Sequence, residues 1–229
     1  MRPIFYLILL NLIMMAVFLI DSKDATKGDG SEMDQTFHEF AERGRTIDFV
    51  KMLEKGQDIN AVDEKGRTAV MAATYANQPD AVAVLIEHGA NINIQDDLLN
   101  TPFLYAGAEG LLEIARLTLE AGADQAIINR YGGNALIPAS EKGHVEMVEF
   151  LLQHADQNVN HINHLGWTAL LEAIILTVGG KQYQEIVALL IQHGADVNLP
   201  DKDGITPLQH AKSKGYKEIE ALLVKEGAY

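Results

Sequence analysis

The chain of 229 residues carries 32 acidic and 18 basic side chains, for a formal net charge of −14. This acidic excess disfavours nucleic-acid binding, because a phosphate backbone requires a basic face, and it favours a neutral or basic protein partner. The lack of cysteine excludes thiol catalysis, thiolate metal sites and a lipid-modified cysteine.

The first twenty residues differ in character from the rest. Residues 4–20 form an uninterrupted stretch without a charge, with a single asparagine among them, and Arg2 precedes them. Such a stretch predicts an N-terminal apolar helix that targets the chain to a membrane, either as an uncleaved signal anchor or as a signal peptide that is removed. The basic amino end predicts export of the chain beyond residue 20. We therefore expect a periplasmic protein, anchored to the inner membrane or released after cleavage, with its signal in residues 1–20.

A polar linker and a repetitive region come next. Residues 21–33 are rich in Asp, Lys, Gly and Ser, which predicts a flexible linker. A motif then recurs in steps of 33, 33, 34 and 38 residues, marked by Gly66, Leu99, Gly132, Gly166 and Gly204. A period near 33 indicates tandem structural units that bury a continuous core by stacking on each other.

Each copy of the motif carries the signals of two short helices. The first helix is predicted to follow a residue whose side chain can accept an unpaired backbone N–H. These residues are Thr68, Thr101, Asn134, Thr168 and Thr206. Pro102 and Pro207 suit the first helical position. The second helix has apolar residues at helical spacing and ends at Gly89, Gly122 or Gly194, because glycine adopts positive φ at low cost.

These motifs resemble those of the ankyrin repeat family over residues 31–229. The clearest copies read GRTAVMAA at 66–73 and GITPLQHA at 204–211. The resemblance implies an all-α solenoid of about six stacked helix-turn-helix units, joined by β-hairpin-like turns. The repeat domain would cover residues 34–229, with an N-terminal capping unit at 34–62 and repeats at 63–95, 96–128, 129–162, 163–200 and 201–229.

Two places depart from the regular pattern. Leu99 occupies the place of the turn glycine in the second repeat, and we expect Asn100 to take up the strained backbone conformation there. The fourth repeat has five extra residues between its helices, around residues 177–183. An insertion of this kind maps to a loop, and either a specific contact or tolerated variation would account for it.

Sequence signals for catalysis and cofactor binding are lacking. The chain contains no phosphate-binding glycine-rich loop, no Gly-x-Ser-x-Gly motif and no His-Glu-x-x-His motif. Residues 201–204 resemble the start of a calcium loop, but the glutamate that completes such a loop is missing. We therefore expect a non-enzymatic protein without cofactor or metal. The enzymatic alternative is a hydrolase that uses Asp97 and Glu109.

The histidines admit two interpretations. His88, His154 and His193 recur at the end of second helices, where an imidazole can bond to the last carbonyl groups. His161 and His164 flank one turn, and together with His154 they could hold a metal. A structural role is the favoured interpretation, because no cysteine or carboxylate completes a ligand set there.

The resemblance further implies a binding surface. In ankyrin stacks, the turn tips and the exposed side of each first helix line a concave face that binds protein partners. The matching positions are Arg67, Tyr75, Leu98, Asn100, Glu109, Arg130, Tyr131, Lys142, His164, Leu165, Trp167 and Ile205. Trp167 is the single tryptophan, and large aromatic side chains are enriched at binding hot spots, although packing against a neighbouring tip would also explain it. Apolar tip residues, Leu99 among them, would form a stripe.

The function expected from these features is protein binding. We expect a protein–protein interaction module, a monomeric stack that binds an exported partner through its concave face. Two alternatives belong to the same class: an immunity protein or inhibitor of a secreted toxin enzyme, and an accessory factor for a periplasmic stress-defence enzyme. The acidic charge suits a basic toxin.

Overall fold

The computed structural model describes residues 30–229, which form twelve α-helices. The predicted targeting segment and most of the predicted linker lie outside the described residues. The helices are α1 Gly30–Glu42, α2 Thr46–Glu54, α3 Ala69–Tyr75, α4 Pro79–Glu87, α5 Pro102–Glu109, α6 Leu112–Glu120, α7 Leu136–Lys142, α8 Val145–His154, α9 Ala169–Ile175, α10 Lys181–Gln192, α11 Pro207–Lys214 and α12 Lys217–Lys225.

The first described helix begins earlier than the sequence predicts. α1 starts at Gly30, so residues 30–33 are helical, whereas the sequence assigned them to the linker. Among residues 30–229, no helix combines the length and the apolar character that crossing a membrane would require.

The predicted starts of four inner helices are confirmed. Thr68, Thr101, Thr168 and Thr206 are N-caps whose hydroxyl oxygen accepts the backbone N–H three residues later, at 3.2–3.4 Å. In the third repeat the N-cap is Ala135, one residue later than predicted, and the Asn134 side chain accepts the Ile137 N–H at 3.3 Å. Thr206 also donates its own N–H to the Gln209 side chain at 2.9 Å, which completes a capping box. Pro102 and Pro207 occupy the first helical turn as predicted.

The helices form two rows. The inner row consists of α3, α5, α7, α9 and α11, and the outer row of α2, α4, α6, α8, α10 and α12. Each inner helix packs against its neighbours in the row and against the outer helix that comes next in the chain. The turns between repeats contain no strand within residues 30–229, and their β character is limited to an isolated antiparallel bridge between Val62 and Thr68.

Small residues allow the inner helices to lie close together. One alanine recurs in each inner helix and is completely buried, at Ala73, Ala106, Ala139, Ala173 and Ala211. Gly107 of α5 lies so close to α7 that a Cβ atom added there would be 2.7 Å from the Cβ of Ala135. The larger buried side chains join these contacts into one continuous core. The stack therefore depends on contacts between neighbouring repeats.

In the second tip, Leu99 adopts the strained positive-φ conformation. The prediction that Asn100 would adopt it was wrong. Leu99 has φ +57°, close to the +69° of Gly66 at the equivalent place in the first repeat. The Asp96 backbone carbonyl accepts the Leu99 N–H at 2.8 Å, and the Asp96 carboxylate accepts the Asn100 N–H at 2.9 Å. These bonds impose the turn geometry on whichever residue occupies position 99. Leu99 therefore adopts a left-handed backbone conformation, which costs roughly 1–2 kcal/mol for residues other than glycine.

The insertion in the fourth repeat is held by its neighbours. α10 has 12 residues, against 9 in α4 and α6, so part of the insertion lengthens an outer helix. The Thr177 hydroxyl donates to the Ala173 carbonyl at 2.6 Å. Tyr216 of the last repeat donates its hydroxyl to the Thr177 carbonyl at 2.5 Å, and its ring covers Gly179. Val178, between these anchored residues, is 82% exposed.

Candidate protein-binding surface

The turn tips and the inner helices together form one surface, which we call the inner face. Each tip is built around an Asp or Asn side chain whose Oδ1 accepts the backbone N–H groups two and four residues later, at 2.9–3.0 Å. These side chains belong to Asp63, Asp96, Asn129, Asn163 and Asp201. They satisfy backbone donors that have no strand partner, and so they fix the shape of each tip.

Replacing one of these anchors should destabilise the stack. Asp96→Ala removes the acceptor for the N–H groups of Leu98 and Asn100 and for the Tyr75 hydroxyl, which lies 2.6 Å from Oδ2. We expect the free energy of unfolding to fall by roughly 2–3 kcal/mol, since several donors lose their partner together. Urea denaturation followed by circular dichroism measures this change. Asp97→Ala, at the exposed neighbouring residue, is the control, and an equal loss in both variants would contradict the anchoring role.

Adjacent tips are connected to each other. The Asp97 N–H donates to the Lys65 carbonyl at 3.1 Å, and the His164 N–H donates to the Tyr131 carbonyl at 2.8 Å. The Lys202 ammonium group in turn donates to the His164 carbonyl. The Gln95 amide, just before the second tip, donates to the Ile128 carbonyl just before the third at 3.0 Å, so the five tips form a connected edge.

The first predicted contact residues are engaged within the protein. Arg67 forms ion pairs with Asp63 at 2.6 Å and with Glu42 at 2.8 Å, and its side chain is largely buried. Burial and the hydrogen bond to Asp96 raise the pKa of Tyr75, whose hydroxyl also accepts a bond from the Asn100 amide at 3.1 Å. The sequence placed Arg67, Tyr75 and Asn100 on the partner face. Arg67 joins the first repeat to the capping unit, and the polar groups of Tyr75 and Asn100 join the first two repeats.

Charged residues further along the face are also paired. Lys142 of α7 and Glu109 of α5 form an ion pair at 2.5 Å across two repeats, with both side chains partly exposed. The Arg130 guanidinium lies 4.8 Å from the centre of the Tyr131 ring. Its Nε is buried and has no hydrogen-bond partner within the described part of the chain. Arg130 therefore makes a cation–π contact with the Tyr131 ring.

Large apolar side chains line the tips and are exposed to solvent. Their exposed fractions lie between 37% and 50%, and they belong to Leu98, Leu99, Tyr131, Leu165 and Ile205. Trp167 is only partly exposed, and its backbone N–H donates to the Asn163 side chain at 3.0 Å. Exposed apolar side chains grouped in this way mark contact surfaces on soluble proteins. We call Leu98, Leu99, Tyr131, Leu165 and Ile205, together with the partly exposed Trp167, the apolar tip row.

The histidines serve structural contacts. His88 and His193 bond to carbonyl groups one turn back in their helices, at 2.8 and 2.9 Å, as the sequence predicts, whereas the His154 ring lies against Phe150. His161 bonds to the Gly132 carbonyl at 2.6 Å, and the His164 ring covers Gly132. No group of three or more metal-ligating side chains occurs within residues 30–229.

A buried carboxylate on the inner face is a feature that the sequence analysis missed. Glu172 of α9 is 3% exposed, and its Oε1 accepts a hydrogen bond from the Asn163 amide at 2.7 Å. Its Oε2 is buried and has no hydrogen-bond partner in the described residues. Burial and the nearby charge of Glu141 raise the pKa of Glu172 to about 7, and burial also raises the pKa of Glu141. A glutamate among apolar residues, in the sequence LLEAII of α9, was the signal that could have revealed it.

Comparison with known proteins agrees with this geometry. The family model for ankyrin repeats matches residues 37–129, 103–201 and 160–229. A putative ankyrin repeat protein of Escherichia coli K12, YahD, is 46% identical over 183 residues, which cover 80% of this chain and 91% of that protein. The mouse B-cell lymphoma 3 protein homolog is 30% identical over 175 residues, or 73% of this chain and 38% of that protein.

A solved structure is similar over the same region. The crystal structure of an ankyrin repeat domain from Acinetobacter baumannii superposes with a TM-score of 0.82 at 54% identity, and the match covers 85% of this chain and 98% of that domain. The repeat period, the capped inner helices, the anchored tips and these similarities lead to one assignment. The chain belongs to the ankyrin repeat family.

Proposed function

We propose that this protein binds a protein partner through the concave inner face of its stack. Ankyrin repeat domains are protein–protein interaction modules, and this chain has the fold of one. The observation that carries the proposal is the apolar tip row, in which exposed large side chains from four consecutive tips stand on a connected edge. Such a surface buries apolar area on binding. Because its backbone is already fixed, little conformational entropy is lost when the partner binds.

The partner's chemistry and location are inferred from charge and from the targeting segment. The formal net charge of −14 favours a neutral or basic partner over an acidic one. The apolar residues 4–20 support export of the repeat domain to the periplasm, on an anchor or after cleavage. We therefore propose an exported partner that is held at or near the inner membrane by a non-enzymatic monomeric stack.

Substitution of the tip row tests the proposal. We expect Tyr131→Ala, Leu165→Ala and Trp167→Ala together to weaken binding of the purified partner by roughly 100-fold, because truncated hot-spot residues each cost more than 1 kcal/mol. The partner is first recovered from a periplasmic extract, and affinities are then measured by calorimetry. A control carries Ile47→Ala and Val224→Ala, which alter exposed apolar residues on the outer helices. Equal affinities for the wild type and the tip variant would contradict the proposal.

The acidic excess also supports inhibition of a basic secreted enzyme as a more specific role. A toxin inhibitor must bind tightly and quickly, and opposite charges accelerate association. Co-expression of a candidate toxin with and without this protein distinguishes the two roles, since only an inhibitor restores growth. Association should then slow markedly as salt is raised.

A further inference from the structure

The carboxylates of the inner face differ in whether they have an internal partner. Asp63 is paired with Arg67 at 2.6 Å, Glu109 with Lys142 at 2.5 Å, and Asp201 with the imidazole of His210 at 2.7 Å. Each of these pairs gives one acidic side chain an internal partner, in the first, second and last repeats respectively.

Glu141 and Glu172 have no such partner in the described residues. The inner helices that carry them, α7 and α9, pack directly against each other, and the charge of Glu141 acts on Glu172. Lys142, the neighbour of Glu141 in the chain, forms its ion pair with Glu109; burial has the larger effect on the pKa of Glu141 and raises it, although the charge of Lys142 also acts on this pKa and lowers it. Oε2 of Glu172 lacks a hydrogen-bond donor within residues 30–229, and Oε1 has the neutral amide of Asn163.

Burial, the charge of Glu141 and the Asn163 amide act on the Glu172 carboxyl group, and no cation is among these influences. On α11, His210 is directed to Asp201, and the buried residues that α10 contributes to the core are apolar, namely Ile186, Val187 and Leu190. On α7, Glu141 adds a second negative charge, and the ammonium group of Lys142 is bonded to Glu109. A buried carboxylate that lacks a cation is costly, so the folded protein favours the protonated form of Glu172, and its Oε2 still has no hydrogen-bond partner in the described residues.

We propose that Glu141 and Glu172 form a receiving site on the inner face for a basic side chain, lysine or arginine, of the partner protein. The proposal rests on the proposed function, because it assumes that the inner face is the side that meets the partner. The half-buried Glu141 makes the first contact, and Glu172 supplies the second negative charge behind it. An arriving cation favours the ionised form of Glu172, so binding releases a proton from its carboxyl group.

A matched pair of small probes tests this site without the partner. N-acetyl-arginine amide carries the guanidinium cation, and N-acetyl-citrulline amide has nearly the same shape without the charge. Carboxyl-carbon NMR of the purified full-length protein reports the titration midpoint of Glu172. We expect arginine to lower this midpoint by about one pH unit, since a nearby opposite charge favours the carboxylate, and we expect citrulline to leave it unchanged.

Variants establish which carboxylates bind the probe. Glu141→Gln should weaken arginine binding, read from the Glu172 resonance at fixed pH, by about ten-fold, the factor that corresponds to one unit of pKa. Glu146→Gln, at an exposed position of the outer helix α8, should leave binding unchanged. Equal responses to arginine and citrulline would overturn the proposal. So would arginine binding that is unaltered in Glu141→Gln, or a Glu172 response no larger than that of exposed carboxylates.

The outcomes separate this site from the broader function. A partner that binds the wild type and Glu141→Gln equally, but loses affinity when the tip row is truncated, overturns the receiving site and leaves protein binding intact. The opposite result is that arginine shifts the Glu172 midpoint while truncation of the apolar tip row leaves the affinity for the partner unchanged. That result overturns the proposed binding face.

Discussion

Valine at position 107 should divide the stack into two weakly coupled halves. Gly107 lies where α5 meets α7, and an added Cβ would be 2.7 Å from the Cβ of Ala135 and 3.4 Å from its Cα. Ala135 is fully buried, so it cannot move away without shifting the whole helix. We expect Gly107→Val to lower the free energy of unfolding by roughly 3 kcal/mol, the upper range for overpacked cores.

The loss should be local because the repeats contact only their neighbours. In such an array a weakened interface uncouples the units on either side, so that one unfolding transition becomes two. Hydrogen exchange followed by mass spectrometry should show faster exchange in α5 and α7 than in α11. Gly180→Val is the control, since an added Cβ there has nothing within 4 Å. Similar losses in the two variants would mean that α5 and α7 are not in close contact.

Glutamine at position 172 should stabilise the protein above neutral pH. The pKa of Glu172 rises from its ordinary 4.5 to about 7 in the folded protein, chiefly through burial and also through Glu141. At a pH between these two pKa values, the Glu172 carboxyl group is ionised in the unfolded chain and still protonated in the folded protein. Stability therefore decreases as pH rises through this window, and the penalty is complete above pH 7. A shift of this size corresponds to roughly 3 kcal/mol.

The comparison of wild type with Glu172→Gln isolates this effect. Burial raises the pKa of Glu141 in the same sense, whereas burial lowers the pKa of His144, and hydrogen bonds lower the pKa of Asp201 despite burial. All three groups are present in the two proteins, so their own contributions cancel in the difference, which leaves Glu172 and its interaction with Glu141. Urea denaturation at pH 5 and pH 8 should show an advantage for Glu172→Gln that grows with pH. A difference that stays constant between the two would contradict a buried, protonated Glu172.

The sequence predicts much of this fold because the repeat provides several independent signals for each helix. The capping residues are an example: Thr168 and its threonine equivalents start four inner helices by a bond that depends only on local chain geometry. Glycines such as Gly194 end the outer helices with positive φ for an equally local reason. Such features can be read from one sequence because they involve residues only a few positions apart.

The features that the sequence did not predict depend on contacts between repeats or on the exact turn geometry. The turn imposed its conformation on Leu99 through bonds to Asp96, and residue preferences alone pointed to Asn100. The burial of Glu172 results from the way α9 packs between its neighbours. The ion pair of Arg67 with Glu42 of α1, which crosses into the capping unit, was likewise not predicted. Contacts over such separations cannot be derived from periodicity.

The most direct test of the central claim is site-specific photo-cross-linking in living cells. A photoreactive amino acid at Leu165 places the probe on the apolar tip row, and the same amino acid at Ile47 places it on an exposed part of the outer helix α2. If the inner face binds the partner, Leu165 yields a discrete cross-linked protein and Ile47 does not. Cross-linking to the same protein from Ile47, with none from Leu165, would contradict the proposed binding face.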